Sequence, residues 1–457
     1  MKQKAVVLSV LSLLCCMSCS HGNRAERADN SLFYVTDYGA VSDTSVLSTE
    51  GIQLAVNACE QRGGGKVVFP AGEYKTGTII LKNNVILYLE AGATLYGSRS
   101  LDDYIPMKPE YSSLRTQTET VQLIYAESIH GAGISGYGTI DGQGSGFEKK
   151  SWNDEGITRP HLIRFITSQD ITIEGVTLKN SPCWMQHYLA CDRLNIHDLR
   201  IFNRNNYNND ALDLDGCHNV VVSNLICDSD DDGITLKSTS PRLCENISIS
   251  NCVVSSRCNG IKLGTETNGG FKNIHISDCV VKPSEVTEPT FFGREGGISG
   301  ISLEITDGGI MDGVTVSDIL IRGTECPLFV YLGHRARTYQ PDVTIDKVGE
   351  VRHITLSDIH AYGAGKTGCS ITGLPGHKVE DVVLNNISIE FAGGGTLEDA
   401  ASKPEELAEE YPESTMFGTL PAYGFYIRHA KGVEMNNVRL TTQSPDARPM
   451  FVREDVE

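Results

Sequence analysis

Short segments in which apolar and polar residues alternate recur along most of the chain. Val, Ile or Leu occupies every second position, which is typical of β-strands with one buried face. The segments are DITIEGVTLKN, RLNIHDLRIFN, NVVVSNLICDS, NISISNCVVSS, NIHISDCVVKP, GVTVSDILIRG, HITLSDIHAYG, DVVLNNISIEF and GVEMNNVRLTT. Their first apolar residues are separated by steps of 23, 26, 27, 27, 40, 40, 28 and 51 residues. A basal period of 23–28 residues with insertions predicts a solenoid.

The repeat contains strands and no helical stretch, which excludes leucine-rich repeats. We predict an all-β fold, a right-handed single-stranded parallel β-helix whose coils stack about 4.8 Å apart. In eight successive segments an Asn or Asp follows the first apolar residue by four positions. These residues are Asp198, Asn224, Asn251, Asp278, Asp318, Asp358, Asn386 and Asn437. Because Asn and Asp tolerate left-handed backbone, they predict the same tight turn in every coil.

One helix is predicted at the N-terminal end, in STEGIQLAVNACEQRGGG. Ser48 or Thr49 would cap it and Gly63 would end it. Its apolar face consists of Ile52, Val56 and Cys59. We expect this amphipathic helix to cover the exposed strands of the first coil. Residues 393–418 break the period and predict an acidic insertion that is partly helical.

The N-terminus has the pattern of a targeting segment. Lys2 and Lys4 precede the apolar run AVVLSVLSLLCCM, which is too short to span a membrane. Residues 1–19 resemble a bacterial lipoprotein signal peptide, in which Cys19, or failing that Cys16, would be lipidated; a plain secretory signal is the alternative. Residues 20–30 form a polar tether, and 31–457 a single β-helix domain. We expect an exported monomer that is lipid-anchored in the cell envelope, in the periplasm or at the outer membrane.

Charge and cysteine content narrow the functional classes. The net charge of −19 repels nucleic acid and anionic lipid, so neither is an expected partner. Of 14 cysteines, three belong to the signal segment, which leaves 14 − 3 = 11. They lack CxxC spacing, so no zinc site is expected, and their odd number disfavours a complete disulfide framework. We expect most to be buried as small apolar residues, with Cys252 and Cys279 stacked inside the solenoid.

Three carboxylates are predicted to meet on one patch of the outer wall. Stacking the repeats aligns DALDLD, which begins at Asp210, with DGITLK from Asp232 and NGIKLG from Asn259. Asp210 and Asp232 then become neighbours one coil apart, with Asp231 beside them. The alternation also turns Lys237 and Lys262 outward, toward the same patch.

Crowded carboxylates divide into a protonated acid and an ionised base, which is what glycoside hydrolysis requires. From spacing alone, a calcium site and a solvated acidic strip stay open as alternatives.

The stretch NNDALDLDGCHNVVVSNLICDSDDDGITLKS resembles the core signature of glycoside hydrolase family 28, the polygalacturonase family. Further similar motifs are DYGAVSD, PAGEY, GYGTIDGQG, RPHLIRF, NSPCWMQH and AYGFYIRHAKGV. The resemblance implies a pectin-lyase-like solenoid and no cofactor or metal. It implies that Asp231 is the general acid and that Asp210 and Asp232 activate water, with inversion at the anomeric carbon.

The sequence departs from the family pattern in two places. Cys258-Asn259-Gly260 lacks the family's histidine, and Ser302 and Glu304 replace the two cations of Gly-Ile-Arg-Ile-Lys. Loss of these cations disfavours galacturonate there and favours a neutral sugar, as in rhamnogalacturonan-cleaving members. Other residues must then hold the reacting galacturonate. The candidate substrate-binding residues are Lys237, Lys262, Asn259, Arg257, Arg335 and His187, with Arg294 and His334 as further possibilities. For His187 and Trp184, packing in the core is the alternative.

The leading hypothesis is therefore a hydrolase of α-galacturonosyl linkages in pectic polysaccharides, of the rhamnogalacturonan type or acting from the chain end. The alternatives are an endo-polygalacturonase on homogalacturonan, a calcium-dependent pectic lyase, and a non-catalytic carbohydrate-binding solenoid. The lyase would need calcium and a basic proton acceptor.

Overall fold

The computed structural model describes residues 31–117, 121–149, 158–285 and 296–457. They form two α-helices, α1 (Thr49–Gln61) and α2 (Leu397–Ala400), and short 3₁₀ turns at Val35–Tyr38, Leu101–Asp103 and Gly144–Gly146. The first strands are β1 (Leu32–Tyr34), β2 (Gly65–Phe69), β3 (Gly72–Thr76), β4 (Ile79–Ile80), β5 (Val85–Leu89), β6 (Ala93–Gly97), β7 (Gln122–Glu127), β8 (Gly133–Gly136), β9 (Thr139–Asp141), β10 (His161–Ile166), β11 (Gln169–Glu174), β12 (Thr177–Lys179), β13 (Gln186–Leu189), β14 (Asp192–His197) and β15 (Arg200–Asn203). They are followed by β16 (Leu212–Asp215), β17 (His218–Ser223), β18 (Ile226–Ser229), β19 (Ile234–Ser238), β20 (Cys244–Ser250), β21 (Val253–Ser256), β22 (Asn259–Thr267), β23 (Gly270–Pro283), β24 (Gly297–Ile305), β25 (Ile310–Arg322), β26 (Thr324–Leu332), β27 (Glu350–Ala364), β28 (Cys369–Thr372), β29 (Val379–Phe391), β30 (Phe425–Thr442) and β31 (Phe451–Val456).

The strands pair in parallel with the equivalent strands of the neighbouring coils and build three walls. Wall A runs from β1 and β2 through β5, β8, β11, β14, β17 and β20. Wall B runs from β3 through β6, β9, β12, β15, β18 and β21, and β23, β25, β27 and β29 bend through both walls. Wall C runs from β4 through β7, β10, β13, β16, β19, β22, β24, β26 and β28 to the start of β30. The described chain is one continuous parallel β-helix, as predicted.

The interior is a column of apolar side chains that repeats from coil to coil. Leu212 lies opposite Ile234, and Ile234 lies opposite Ile261; all three are fully buried. Burying such a side chain stabilises the fold by about 1.5–3 kcal/mol. All eleven described cysteines are buried and free, and Cys252 and Cys279 belong to this column, which confirms both predictions.

The predicted turn between walls A and B is confirmed in every coil that carries it. All eight Asn and Asp residues of the repeat have a positive φ, between 51° and 57°. These turn residues also link neighbouring coils. Asn224 donates to the side chain of Asp198, and Asn386 donates to that of Asp358, both at 3.0 Å. The short polar side chain is therefore required by backbone conformation and by stacking together.

Helix α1 lies where the sequence predicts it, and Ile52, Val56 and Cys59 are fully buried. The predicted cap is wrong in detail. Ser48 is the residue before the first turn, but its hydroxyl bonds the backbone of Val41 and makes no bond to the helix. Thr49 accepts a hydrogen bond from the amide of Gly77 at 2.7 Å, so it joins the helix to the first coils. No described helix is long and apolar enough to cross a membrane.

The acidic insertion contains α2 as its only described helical part, and its remainder forms an arm, residues 401–418. The arm crosses the outer face of wall C from the coil of β30 toward the coil of β22. Its contacts are, in chain order, Pro404 with Arg428, Leu407 with Tyr331, Ala408 with His334, Tyr411 with Thr265, Glu413 with Lys262, and Ser414 with Ser299. Met416 and Phe417 then pack against Phe329 and Tyr331. The arm is therefore anchored at many points along its course.

Candidate active site

Three aspartates meet at the corner where wall B turns into wall C. The parallel register of β16 and β19 places Asp210 level with Asp232, and that of β19 and β22 places Asp232 level with Asn259. Asp210 and Asp232 are 2% and 3% exposed, whereas Asp231 is only half-buried. The predicted convergence of the three carboxylates is confirmed, and Asp231 is the one that an incoming molecule reaches most easily.

Serine and asparagine side chains fix the backbone around these carboxylates. The carbonyl of Asp231 accepts hydrogen bonds from Ser229 at 2.9 Å and from Ser256, one coil later, at 2.6 Å. The carbonyl of Asp210 accepts from Asn203 at 2.9 Å. The carboxylate of Asp231 accepts from the amide of Asp232 at 3.0 Å and from Asn208 at 3.5 Å, a long contact. The turn is therefore held by its main chain, and the Asp231 side chain has one short and one long hydrogen bond.

Each of the two buried aspartates has its own lysine. The Nζ of Lys262 lies 3.5 Å from Asp232, and the Nζ of Lys237 lies 3.5 Å from Asp210 and 3.4 Å from Asp213. No ion pair to Asp231 occurs within the described ranges. Buried carboxylates need such partners, because an unpaired charge out of water is costly.

Asp231 and Asp232 are adjacent in sequence, but their pKa values shift in opposite directions. Burial and the carboxylates of Asp210 and Asp232 raise the pKa of Asp231 well above its ordinary value. Burial also acts to raise the pKa of Asp232, but Lys262, Lys237 and the amide of Asn259, 2.7 Å away, outweigh it and hold the pKa below its ordinary value. The site thus pairs a proton donor with an ionised base at neutral pH.

Asp210 belongs with a second buried carboxyl group, Asp213. Burial and the charge of Asp213 raise the pKa of Asp210 well above its ordinary value. Burial raises the pKa of Asp213 to about 7, although Lys237 opposes the shift. Two carboxyl groups beside one ammonium group cannot both ionise easily, so this pair retains a proton near neutral pH.

The model of glycosyl hydrolases family 28 matches residues 59–407. The chain belongs to this family. A probable polygalacturonase from Vitis vinifera is 30% identical over 214 residues, which are 45% of this chain and 44% of the relative. An exo-poly-alpha-D-galacturonosidase from Dickeya chrysanthemi is 32% identical over 154 residues, 32% of this chain and 25% of the relative. The chain thus aligns with less than half the length of these curated relatives.

The fold is shared with a solved structure of the same class. An exopolygalacturonase from Thermotoga maritima superposes with a TM-score of 0.68, covering 90% of this chain and 91% of that chain at 18% identity. The right-handed parallel β-helix predicted from the repeats is the family 28 fold. At this identity the superposition speaks for the fold and not for the substrate.

Most of the predicted substrate-binding cations form ion pairs with carboxylates of the protein itself. Arg257 donates to Asp230 at 2.6 Å, and Arg335 donates to Asp307 at 2.8 Å. Lys237 and Lys262 are at the centre of the site, as predicted, but both are held by aspartates. Arg294 and Cys19 lie outside the described residues.

Three further predicted positions have definite surroundings. His187 is fully buried with its Nε2 3.1 Å from Asp215, as the core alternative foresaw. Asn259 donates to Asp232 from its backbone amide and from its side-chain amide, so it orients the Asp232 carboxylate. Trp184 is 2% exposed and lies under the charged groups of Arg115 and Lys237, at 4.9 and 4.7 Å from the ring. Its role is to support these cations.

Several site residues were not predicted. Glu413 from the arm lies 3.4 Å from the Nζ of Lys262 and 3.3 Å from the amide of Asn259. On the other side of the aspartates, Glu266 contacts Arg115 at 2.5 Å and Arg337 at 3.6 Å. Stacking placed Lys262, but the register between β19 and β22 shifts before Glu266 is reached, and the arm and loops follow no repeat. Only Asp213 carried a usable signal, its outward position beside Asp210.

Asp231, Asp232 and Cys258 bring potential metal ligands within 4.8 Å of one another. The Lys262 ammonium group already neutralises Asp232 and would repel a divalent cation beside it. This arrangement of charges supports acid–base chemistry at the aspartates rather than the calcium alternative.

Proposed function

We propose that this family 28 protein hydrolyses α-galacturonosyl linkages in pectic polysaccharides by an inverting acid–base mechanism. The observation that carries the proposal is the meeting of the three aspartates at one corner, where Lys262 and Asn259 hold Asp232 and no ion pair within the described ranges holds Asp231. The opposite shifts of the Asp231 and Asp232 pKa values support it. Asp231, half-buried and protonated, donates its proton to the glycosidic oxygen as the bond to the leaving sugar breaks. Asp232, ionised, takes a proton from the water that attacks the anomeric carbon.

Asp210 completes the water-binding side in this proposal. Its backbone is level with that of Asp232. Its buried carboxyl group and that of Asp213 lie beside the same ammonium group, that of Lys237. It orients the attacking water beside Asp232, which carries the full negative charge. Asn259 and Lys262 keep Asp232 ionised and in place.

The sugar on the Lys262 side of the cut is neutral in this proposal. Ser302 and Glu304, which replace the family's two cations, lie next to Lys262 on the outer face of wall C. Burial raises the pKa of Glu304 to about 8, and Ser302 donates to it at 2.6 Å. Ser302 and Glu304 are fully buried and Lys262 is bound to Asp232 and Glu413, so this side has no spare cation for a uronic acid among its described residues.

The arm supports action at a chain end. Its tip, from Tyr411 to Ser414, contacts β22 and β24 immediately beyond the catalytic coil. A polysaccharide lying along wall C would meet the arm on this side. We infer that the site accepts a long chain on one side of the cut only, which favours an exo mode over an endo mode.

The N-terminal sequence supports export with a lipid anchor at Cys19. Lys2 and Lys4, the apolar run and the small residues around Cys19 form the expected pattern. Cys19→Ser should release the protein from the membrane fraction and abolish incorporation of labelled fatty acid. Labelling that persists would redirect the assignment to Cys16.

The test of the activity is product analysis by chromatography on homogalacturonan, rhamnogalacturonan I and rhamnogalacturonan II fragments. We expect saturated monosaccharide or short products, with a rhamnogalacturonan fragment cleaved faster than homogalacturonan. Asp231→Asn serves as the matched inactive protein. Unsaturated products that absorb in the ultraviolet would support the lyase, and cleavage unaffected by Asp231→Asn would contradict the mechanism.

A further inference from the structure

A galacturonate at the cleavage point brings its own carboxylate, which needs a cation with donors to spare. The predicted cations have prior partners: Lys262 with Asp232 and Glu413, Lys237 with Asp210 and Asp213, Arg257 with Asp230, and Arg335 with Asp307. A substrate carboxylate would have to compete with a buried aspartate or glutamate for each of them. The cation that binds the substrate carboxylate, here called the anchor, is therefore expected among residues that the sequence did not suggest.

Arg337 is such a cation. Its side chain is 40% exposed, and its ion pair within the described ranges is a loose contact of 3.6 Å to Glu266. Glu266 is already engaged, because Arg115 lies 2.5 Å away and Lys237 lies 3.9 Å away. One carboxylate thus faces three cations, and Arg337 is the most exposed of the three.

The titration of Glu266 reflects this excess of positive charge. Burial acts to raise its pKa, but Arg115, Lys237, Arg335 and Arg337 outweigh burial and hold the pKa well below its ordinary value. Glu266 therefore stays ionised, and because Lys237 and Arg335 also face aspartates, Arg337 is the cation of this group most accessible to a second carboxylate. A second carboxylate is the ligand that such surroundings favour.

The backbone of Arg337 is fixed, so its guanidinium group is presented from a rigid loop. Its amide donates to Asp307 at 2.9 Å, and its carbonyl accepts from Asn268 at 2.7 Å. Two residues on, the carbonyl of Tyr339 accepts from Gln117, and Gln340 donates to Ser112 at 2.7 Å. The loops 112–117 and 333–340 thus meet across the outer face of wall C and hold Arg337 between them.

The same cluster is connected to the catalytic corner through one side chain. Lys237 lies 3.9 Å from Glu266 and 3.5 Å from Asp210. The loop that carries Arg115 is joined to the end of β19, because the amide of Leu114 donates to the carbonyl of Thr239 at 2.8 Å. Arg337 is therefore linked to the aspartates through Glu266 and Lys237, on the side of the site away from Lys262.

We propose that Arg337 binds the carboxylate of the galacturonate whose linkage is cleaved, with Glu266 holding the guanidinium group in position. The inference rests on the proposed function and assigns this chain's specificity for a uronic acid to a residue outside the repeat. It also divides the site, with the uronic acid recognised on the Lys237 side and a neutral sugar on the Lys262 side.

The test measures binding and turnover separately. Asp231→Asn protein should bind galacturonate more tightly than galactose in calorimetry, and adding Arg337→Gln should remove that preference. In the active protein, Arg337→Gln should raise KM roughly ten- to hundredfold on the cleaved pectic fragment with little change in kcat. Carboxyl-reduced fragment should show no such difference between the two proteins. Arg337→Lys should recover part of the affinity.

The controls separate this inference from the proposed function. Arg322→Gln, which removes an exposed arginine elsewhere on the solenoid, should leave KM unchanged, and all variants should unfold at the temperature of the parent protein. Equal binding of galacturonate and galactose by the Asp231→Asn protein, or an unchanged KM for Arg337→Gln, would overturn the anchor while hydrolysis stands. Absence of hydrolysis on every pectic substrate would instead overturn the function, and the binding comparison would still decide the role of Arg337.

Discussion

Lys262 and Lys237 extend from neighbouring coils of one wall, yet their surroundings differ in charge. Lys262 faces the carboxylates of Asp232 and Glu413. Lys237 faces Asp210, Asp213 and Glu266, and Glu266 also contacts two arginines, Arg115 and Arg337. Among the described residues, the Lys262 side therefore has one cation among its acids, whereas the Lys237 side has three. A site with this polarity can distinguish the two sugars that flank the cut, which neither lysine alone could do.

The largest expected effect distinguishes the two aspartates that the lysines hold. Asp232→Asn removes the ionised base and should lower kcat by about 10⁴-fold. Asp210→Asn should cost less, about 10²-fold, because Asp210 shares a proton with Asp213 and an amide resembles the protonated acid. Steady-state kinetics on the fragment that wild type cleaves fastest gives both values.

Circular dichroism spectra and unfolding temperatures matching wild type would show that both aspartate variants are folded. Equal losses in the two variants would contradict the unequal roles of Asp210 and Asp232. The two sides of the site would then not differ in their contribution to catalysis.

Substitutions of the two lysines should change the pH dependence of the activity to different extents. In wild type, activity should fall as pH rises through the raised pKa of Asp231, which loses its proton, and as pH falls through the lowered pKa of Asp232, which gains one. Lys262→Met removes a charge that lowers the pKa of Asp232, so the acidic limb of kcat/KM should move to higher pH. Lys237→Met should move it less, since Lys262 contributes more to that shift.

Both lysine substitutions should also lower the free energy of unfolding, by about 3–5 kcal/mol, because each leaves buried carboxylates without a counter-charge. Thermal unfolding at pH 7 and pH 5 measures this loss. The loss should shrink at the lower pH, where the orphaned carboxylates protonate. An acidic limb that moves equally in both variants would contradict the assignment of Lys262 to Asp232.

The sequence predicted the parts of this site that obey the repeat. Asp210 and Asp232 could be placed together because stacking coils must align their inward leucines and isoleucines, and the alignment carries the outer residues with it. The eight turn residues were predictable for a similar reason, since left-handed backbone at a fixed position restricts the residue type.

The remaining site residues come from segments in which no period exists. Glu413 and Arg337 reach the site through an arm and a loop whose paths depend on tertiary contacts, such as those of Arg428 and Gln340. Ser48 is a smaller example of a tertiary contact that the local pattern does not predict. Its hydroxyl lies at the start of a helix but bonds the backbone of Val41 instead of capping the helix. The local sequence pattern indicates which side chains can form hydrogen bonds, and tertiary packing determines which of these hydrogen bonds form.

The smallest expected effect tests the Lys262 side alone. Glu413→Gln removes one carboxylate from the surroundings of Lys262, so a uronic acid on that side should be repelled less. The ratio of kcat/KM on homogalacturonan to that on the rhamnogalacturonan fragment should rise roughly threefold, as expected for a change of about 0.6 kcal/mol. Glu410→Gln is the matched control, because Glu410 belongs to the same arm but is exposed. If both variants shift the ratio alike, net charge explains the effect; if neither does, Glu413 does not select the sugar and the polarity of the site rests on the Lys237 side.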